Sequence, residues 1–200
     1  MKRYIYSGKE TKMKIAIIDF RSLFTNKIGE ALERVGAEYA YFPHDTKNDV
    51  LEGYDGMIFT GSYDTVYEGG KLADPSVFEC GLPILGICYG HQLVHYMLGG
   101  EVTRSKTPED EPVRINTVES PLFEGLPVSH IVSMHHNDEV VRLAEGFQKI
   151  AESERCFYAA SQNIEKKIYT VQFHPEDIGN EYGDEIFRNY LRIIEKSKTA

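Results

Sequence analysis

The sequence predicts an α/β fold in three layers, with a mostly parallel central sheet flanked by helices. Two observations carry this reading. The first hundred residues alternate short apolar runs with segments of helical period, which is how strand, crossover helix and parallel strand are written. The second hundred hold several short runs alternating in period two between turn residues, which suits antiparallel strands joined to the same sheet.

Taken in order, KIAIID (14–19) reads as a buried strand. A helix over about 23–35 follows, with Ile28, Leu32 and Val35 on one stripe and Gly36 as its stop. AEYAYF is the second strand, YDGMIFTG (54–61) the third and LPILGIC (82–88) the fourth. That last strand feeds a helix over about 90–98 that ends at Gly99 and Gly100. Beyond it, EVTRS, PVRINTV, HIVSM, EVVRLA, FQKIAES, CFYAAS and KKIYTVQF are read as separate short strands. A closing helix over about 180–195 places Ile186, Tyr190, Ile193 and Ile194 on one stripe. The arrangement is flavodoxin-like in its first half. Residues 13–200 read as one domain, and the polar segment 1–12 before Met13 as an N-terminal extension.

Composition narrows the function. A formal net charge of -9 disfavours nucleic-acid binding, which draws its affinity from basic groups neutralising phosphates. Three cysteines, Cys80, Cys88 and Cys156, with no CxxC pair, support neither a disulfide framework nor a four-cysteine zinc site. The expected setting is the cytoplasm, with no membrane partner, since the sequence has no apolar run of spanning length.

In an open parallel sheet, chemistry collects at the carboxyl ends of the strands. Three such ends carry reactive or permissive groups: Gly61 with Ser62, Cys88, and VQFHPE with His174 and Glu176. A thiol at a strand-to-helix turn is exposed and strained as a nucleophile should be. A histidine can serve as its base and then its acid if a third group orients the ring, and Glu176 lies two residues beyond His174. The backbone N–H groups of Tyr89 and Ser62 are the candidate donors to an oxyanion. The competing reading of Cys88 is a packed core thiol. His91 and His95, four apart on one helix, are read as packing or hydrogen-bonding residues and not as a metal pair; no metal site is expected. SMHHNDEV (133–140) is read as a turn between strands that lines the pocket through His136 and Asp138, while Cys80 and Cys156 are left as structural.

PILGICYGHQ followed by TVQFHPE resembles the cysteine-dependent glutamine amidotransferases of the triad class, from Met13 onward. Within that class, IIDF, GICYGHQL, MHHNDEV and HPEDIGNEYGDEIFRNY are most similar to the glutaminase component of GMP synthase in its two-subunit form. The resemblance implies hydrolysis of L-glutamine through a cysteinyl thioester, with Cys88, His174 and Glu176 as the triad. It further implies that Gly61, Gln92, His135, His136 and Asp138 shape the glutamine site. Ammonia would pass to an ATP-pyrophosphatase synthetase subunit that converts XMP to GMP. This chain would need no cofactor, ATP and Mg would belong to the partner, and a dimeric synthetase would give a heterotetramer. The alternatives are the glutaminase subunit of anthranilate or aminodeoxychorismate synthase, or a catalytically silent subunit of the same fold.

Two departures stand out. The usual Gly-Gly-Pro turn is Gly61-Ser62-Tyr63, which implies a looser turn and an oxyanion site incompletely formed before a partner docks. The usual Gly-Ser-Gln-Tyr after the first strand is Arg21-Ser22-Leu23-Phe24, which places larger groups near the pocket floor.

Overall fold

The computed structural model describes residues 12–199, so the predicted extension, Lys12 apart, lies outside the described residues. The chain runs β1 (Lys14–Asp19), α1 (Thr25–Arg34), β2 (Glu38–Pro43), β3 (Gly56–Phe59), β4 (Ile84–Ile87), α2 (Tyr89–Met97), β5 (Glu101–Thr117), β6 (Ser129–Arg142), β7 (Gln148–Glu152), β8 (Ala160–Asn163), β9 (Ile168–Val171) and α3 (Gly183–Lys198). These strands form one nine-stranded sheet in the order β2-β1-β3-β4-β9-β8-β7-β5-β6. The first five in that order are parallel, and the remainder continue antiparallel.

Alternation along the strands builds two cores. Ile15 and Ile17 of β1, Ile58 of β3 and Leu85 of β4 face α1 and α3, meeting Ile28, Leu32, Phe187 and Ile194. Ala16, Ile18, Met57 and Phe59 face the other way, toward Leu93 and Val94 of α2. Each fully buried side chain of this size stabilises by about 1.5–3 kcal/mol, and period-two alternation lets a single strand feed both layers. The stripe predicted for α3 is buried: Tyr190 donates to the carbonyls of Met57 (2.7 Å) and Pro83 (2.8 Å), pinning the helix across β3 and β4. Gly56 permits that approach, since a methyl group there would sit 2.6 Å from Ile194 Cδ1.

The second half departs from the sequence reading in two respects: CFYAAS is a turn as far as Ala159, with β8 starting at Ala160, and earlier runs merge. EVTRS and PVRINTV are one strand, β5, and HIVSM and EVVRLA are one strand, β6, paired as a long antiparallel ribbon with an irregularity between Arg104 and Glu109. The stretch MHHND is therefore strand, not turn. Residues 130, 132, 134, 136, 138 and 140 are all buried, so the inward set continues through it, with Ser133 the one odd-numbered residue also buried. No helix among the described residues is long and apolar enough to cross a membrane.

Candidate active site

β4 and α2 meet at Gly86-Ile87-Cys88-Tyr89-Gly90, and there is almost no room in the turn. A methyl group on Gly86 would lie 2.7 Å from the Gly90 carbonyl oxygen, and one on Gly90 would lie 2.5 Å from that of Phe59. Between these glycines Cys88 takes φ 53° and ψ -104°, a conformation that costs an L-residue of order 1–3 kcal/mol. Its N–H donates to the Val171 carbonyl at 2.8 Å, which ties the strained residue to β9. The thiol points toward the His135 carbonyl, 3.5 Å away.

His174 lies just past the end of β9. Its N–H donates to the Ser133 carbonyl at 2.9 Å, and its own carbonyl accepts from the Asn180 side chain, so both faces of its peptide are held. The ring is buried, with Nδ1 2.8 Å from Glu176 Oε1; Nδ1–H donates to that carboxylate, leaving Nε2 for another partner. Cys88 lies close enough to the ring to act on it as a charge. A methyl group built on Gly61 would stand 3.0 Å from His174 Cε1 and 3.7 Å from Cys88 Cβ, so the two side chains flank one point and glycine keeps it open. Burial alone would lower the pKa of His174. The negative sulfur of Cys88 and the carboxylate of Glu176 outweigh it and hold the imidazole well above the usual histidine range.

The pair opens into a cleft of about 360 Å³ lined by Ser22, Ser62, Gln92, His135 and Asp138 among others. The carbonyl of Gly61 accepts from the buried Thr60 hydroxyl at 3.0 Å. That bond holds the Gly61–Ser62 peptide by its carbonyl, and in a trans peptide the Ser62 N–H lies on the opposite edge. Among the described residues neither that N–H nor that of Tyr89, at the start of α2, has a hydrogen-bond acceptor. Ser62 is not in the left-handed region, so the glycine-to-serine change carries no backbone strain; the turn is held by Thr60 and not by a proline. Leu23 and Tyr63 sit at the rim with relative exposures of 75% and 76%, while Phe24 stacks on His135 and lies 4.9 Å from the His174 ring. The larger groups predicted for the floor thus form the rim and one wall.

The ribbon forms the other wall. Its register sets Glu109 opposite His136 and Asp110 opposite His135, two acid–histidine pairs on opposite faces. Sequence reasoning missed both acids. His136 has Nδ1 3.0 Å from the Asp138 carbonyl and Nε2 3.0 Å from Glu109, so its ring is occupied and only the surrounding main chain is open to the cleft. Gln92 is likewise engaged, donating to the Asp138 carbonyl at 2.9 Å and to Gln172 at 3.2 Å. Asp138 accepts from the Tyr67 hydroxyl at 3.0 Å. His91 and His95 turn to hydroxyl groups, Thr170 at 2.7 Å and Ser161 at 2.8 Å. Burial lowers both, His95 to about 3, so they are neutral members of the core.

Comparison with known proteins bears on what this arrangement does. Residues 16–194 match the family model described as glutamine amidotransferase class-I. A GMP synthase (glutamine-hydrolyzing) from Caldicellulosiruptor saccharolyticus is 42% identical over 88% of this chain and 35% of its own length. One from Staphylococcus carnosus is 38% identical over 94% of this chain and 37% of its own. The chain therefore spans a little over a third of these curated relatives. A crystal structure of a GMP synthase subunit from Thermoplasma acidophilum superposes with a TM-score of 0.87 at 30% identity, covering 94% of this chain and 97% of that one.

Proposed function

The chain belongs to the class-I glutamine amidotransferases, and from that premise we propose that it hydrolyses L-glutamine to glutamate and supplies the ammonia to a synthetase that makes GMP from XMP. The observation that carries the chemistry is the meeting of Cys88 and His174 beside Gly61, with Glu176 behind the imidazole.

The steps follow from the charges. The Cys88 thiolate attacks the side-chain amide carbon, and the new C–S bond pushes the carbonyl electrons onto oxygen. The N–H groups of Ser62 and Tyr89 are the donors for that oxyanion, and loss of one such donor typically costs about 3 kcal/mol of transition-state stabilisation. The His174 imidazolium gives its Nε2 proton to the departing nitrogen, the C–N bond breaks, and ammonia leaves a glutamyl thioester. Neutral His174 then takes a proton from water, whose oxygen attacks the thioester. Collapse of the second oxyanion breaks the C–S bond, releases glutamate and restores the thiolate beside the imidazolium. Glu176 holds Nδ1–H throughout, so that Nε2 faces the sulfur in both halves.

The substrate's amino-acid end lies in this reading against Gly61, Asp138 and the main chain at His135 and His136, with Gln92 behind them holding the Asp138 carbonyl. No cofactor is needed for these steps; ATP and Mg belong to the synthetase, an ATP-pyrophosphatase. Likeness over 97% of the Thermoplasma acidophilum protein, described as a GMP synthase subunit, supports a glutaminase that works beside such a synthetase.

The test is glutamine-dependent GMP formation by the chain mixed with an ATP-pyrophosphatase synthetase. Stimulated glutamine hydrolysis is expected with that partner. Stimulation only by an anthranilate or aminodeoxychorismate synthetase would reassign the pathway, and failure of a glutamine-like electrophile to label Cys88 beside any partner would reduce the chain to a silent component.

A further inference from the structure

Glu109, His136 and Cys156 come from three separate segments, β5, β6 and the connection between β7 and β8, yet one ligand atom from each lies within 4.8 Å of the others. All three are shut away from solvent: the side chains of Glu109 and His136 are 0% exposed, and Cys156 as a residue is 1% exposed. The thiol chemistry described above uses none of these side chains.

Hydrogen-bond direction makes the cluster unusual. His136 Nδ1 faces the Asp138 carbonyl at 3.0 Å, and a carbonyl only accepts, so Nδ1 carries the proton. In a neutral ring Nε2 is then a lone pair, and it faces Glu109 Oε2 at 3.0 Å. An ionised carboxylate also only accepts. One cation therefore belongs between the two atoms, a shared proton or a metal ion, in a buried site with a sulfur as the third neighbour. A backbone carbonyl that fixes the tautomer of an imidazole from its far side is the usual outer support of a metal-bound histidine. The rest of the shell is equally built. Ser153 donates to Glu109 Oε1 at 2.9 Å and accepts the Cys156 N–H at 2.8 Å, and Arg155 approaches the same carboxylate oxygen at 3.6 Å.

We infer that Glu109, His136 and Cys156 bind a divalent transition-metal ion of the zinc class, tying the β5–β6 ribbon to the β7–β8 connection. Imidazole nitrogen, carboxylate oxygen and thiolate are each donors that zinc takes at about 2.0–2.3 Å, and the Ser153 hydroxyl is placed to close the shell as the fourth ligand. Binding exchanges the thiol proton, and any proton shared by Glu109 and His136, for the metal and releases it to solvent, so affinity rises with pH. The ion is structural: it fixes the main chain at His135 to Asp138 that walls the cleft, and takes no part in the thiol chemistry.

The test uses the full chain with Cys88→Ser, so that the reactive thiol contributes nothing. Co2+ titrated into the metal-free protein should give one equivalent of binding with sulfur-to-cobalt charge-transfer absorption, and Zn2+ should bleach it and raise the Tm. Adding Cys156→Ser should abolish the charge-transfer band, and His136→Ala should weaken binding at least tenfold. X-ray absorption of the Zn2+-loaded Cys88→Ser protein should show one sulfur among the donors, a readout that needs no second substitution. Absence of the cobalt–sulfur band, its survival in Cys156→Ser, or a zinc shell without sulfur would overturn the assignment and leave a shared proton as the cation in this cluster.

Discussion

The carboxyl ends of the parallel strands and the antiparallel ribbon face each other across one cleft, but they are held in place by different physics. On the parallel side, position comes from strained backbone: Arg21 beyond β1 has φ 69°, Cys88 beyond β4 has φ 53°, and glycines that tolerate no methyl group surround the second of these. The ribbon has no such residue; its shape rests on cross-strand acid–imidazole pairs, Glu109 with His136 and Asp110 with His135. Strain can be supported only where packing overdetermines the chain, whereas an exposed pair such as Asp110 with His135 can form, break and reform at modest cost. Reacting atoms belong on the first kind of wall, and adjustable recognition on the second.

The largest effects should therefore come from the parallel side. Cys88→Ala should lower glutamine-dependent turnover on the order of 10^5-fold, while synthesis from free ammonia by the partner survives. Retained glutamine turnover in that variant would break the comparison outright. Glu176→Ala should be milder, about 10^2-fold in kcat, because Ser133 and Asn180 still hold the His174 main chain. The same variant sharpens the electrostatic argument. In the proposed reaction the imidazolium protonates the departing nitrogen, so kcat/KM falls as pH rises through its pKa. Removing the Glu176 charge leaves burial to lower that pKa and Cys88 alone to raise it, so the alkaline limb should move to lower pH. An unmoved limb would show that Glu176 does not set it.

How much of this was legible in the sequence follows the same division. Cys88 with its flanking glycines, and His174 with Glu176, are local patterns, and residues a few apart along the chain announce a tight turn and an oriented ring. The parallel strands and α3 were equally readable because their apolar periods are uninterrupted. The ribbon was not. Its buried face carries His130, His136 and Asp138 among Val132, Met134 and Val140, so polar residues on the inside hide the alternation. The acids that make these histidines acceptable lie 27 and 25 positions away, Glu109 and Asp110, within a stretch holding two prolines that reads as a loop. What could have found the strand is the apolar period of Val132, Met134 and Val140 continued through the polar even-numbered positions between them; nothing local marks the two acids. Gln92 is a different case: its position was predicted, but its amide is spent on holding β6 to α2.

Between the extremes lies packing at the elbow. Gly90→Ala brings a methyl group onto the Phe59 carbonyl and should destabilise the fold by about 1–3 kcal/mol, read as a lower urea midpoint with unchanged m, together with slower labelling of Cys88. On the ribbon, Asp110→Ala removes a partner whose side chain is 89% exposed, so screening limits the loss. The expected result is a KM for glutamine raised about threefold with kcat nearly unchanged. A large fall in kcat would mean that the charged wall takes part in the chemistry and would erase the contrast.

The smallest effect tests whether the strain at Arg21 is needed. The left-handed region costs a non-glycine residue roughly 1–2 kcal/mol, and this position is a glycine in the family pattern that the sequence resembles. Two bonds offset that cost here: Asp19 Oδ1 accepts from the Arg21 N–H at 2.9 Å and from the Thr25 hydroxyl at 2.8 Å, stapling the turn into α1. Neither bond needs the arginine side chain, so Arg21→Gly keeps both and removes the clash. It also enlarges the entropy of the unfolded chain by about 0.5–1 kcal/mol. The net should be a gain of a few tenths to about 1 kcal/mol, measured as a higher urea midpoint, with kcat unchanged. A loss of stability would mean that the guanidinium makes a contact worth more than the strain, and that the parallel wall is held by charge as well as by backbone.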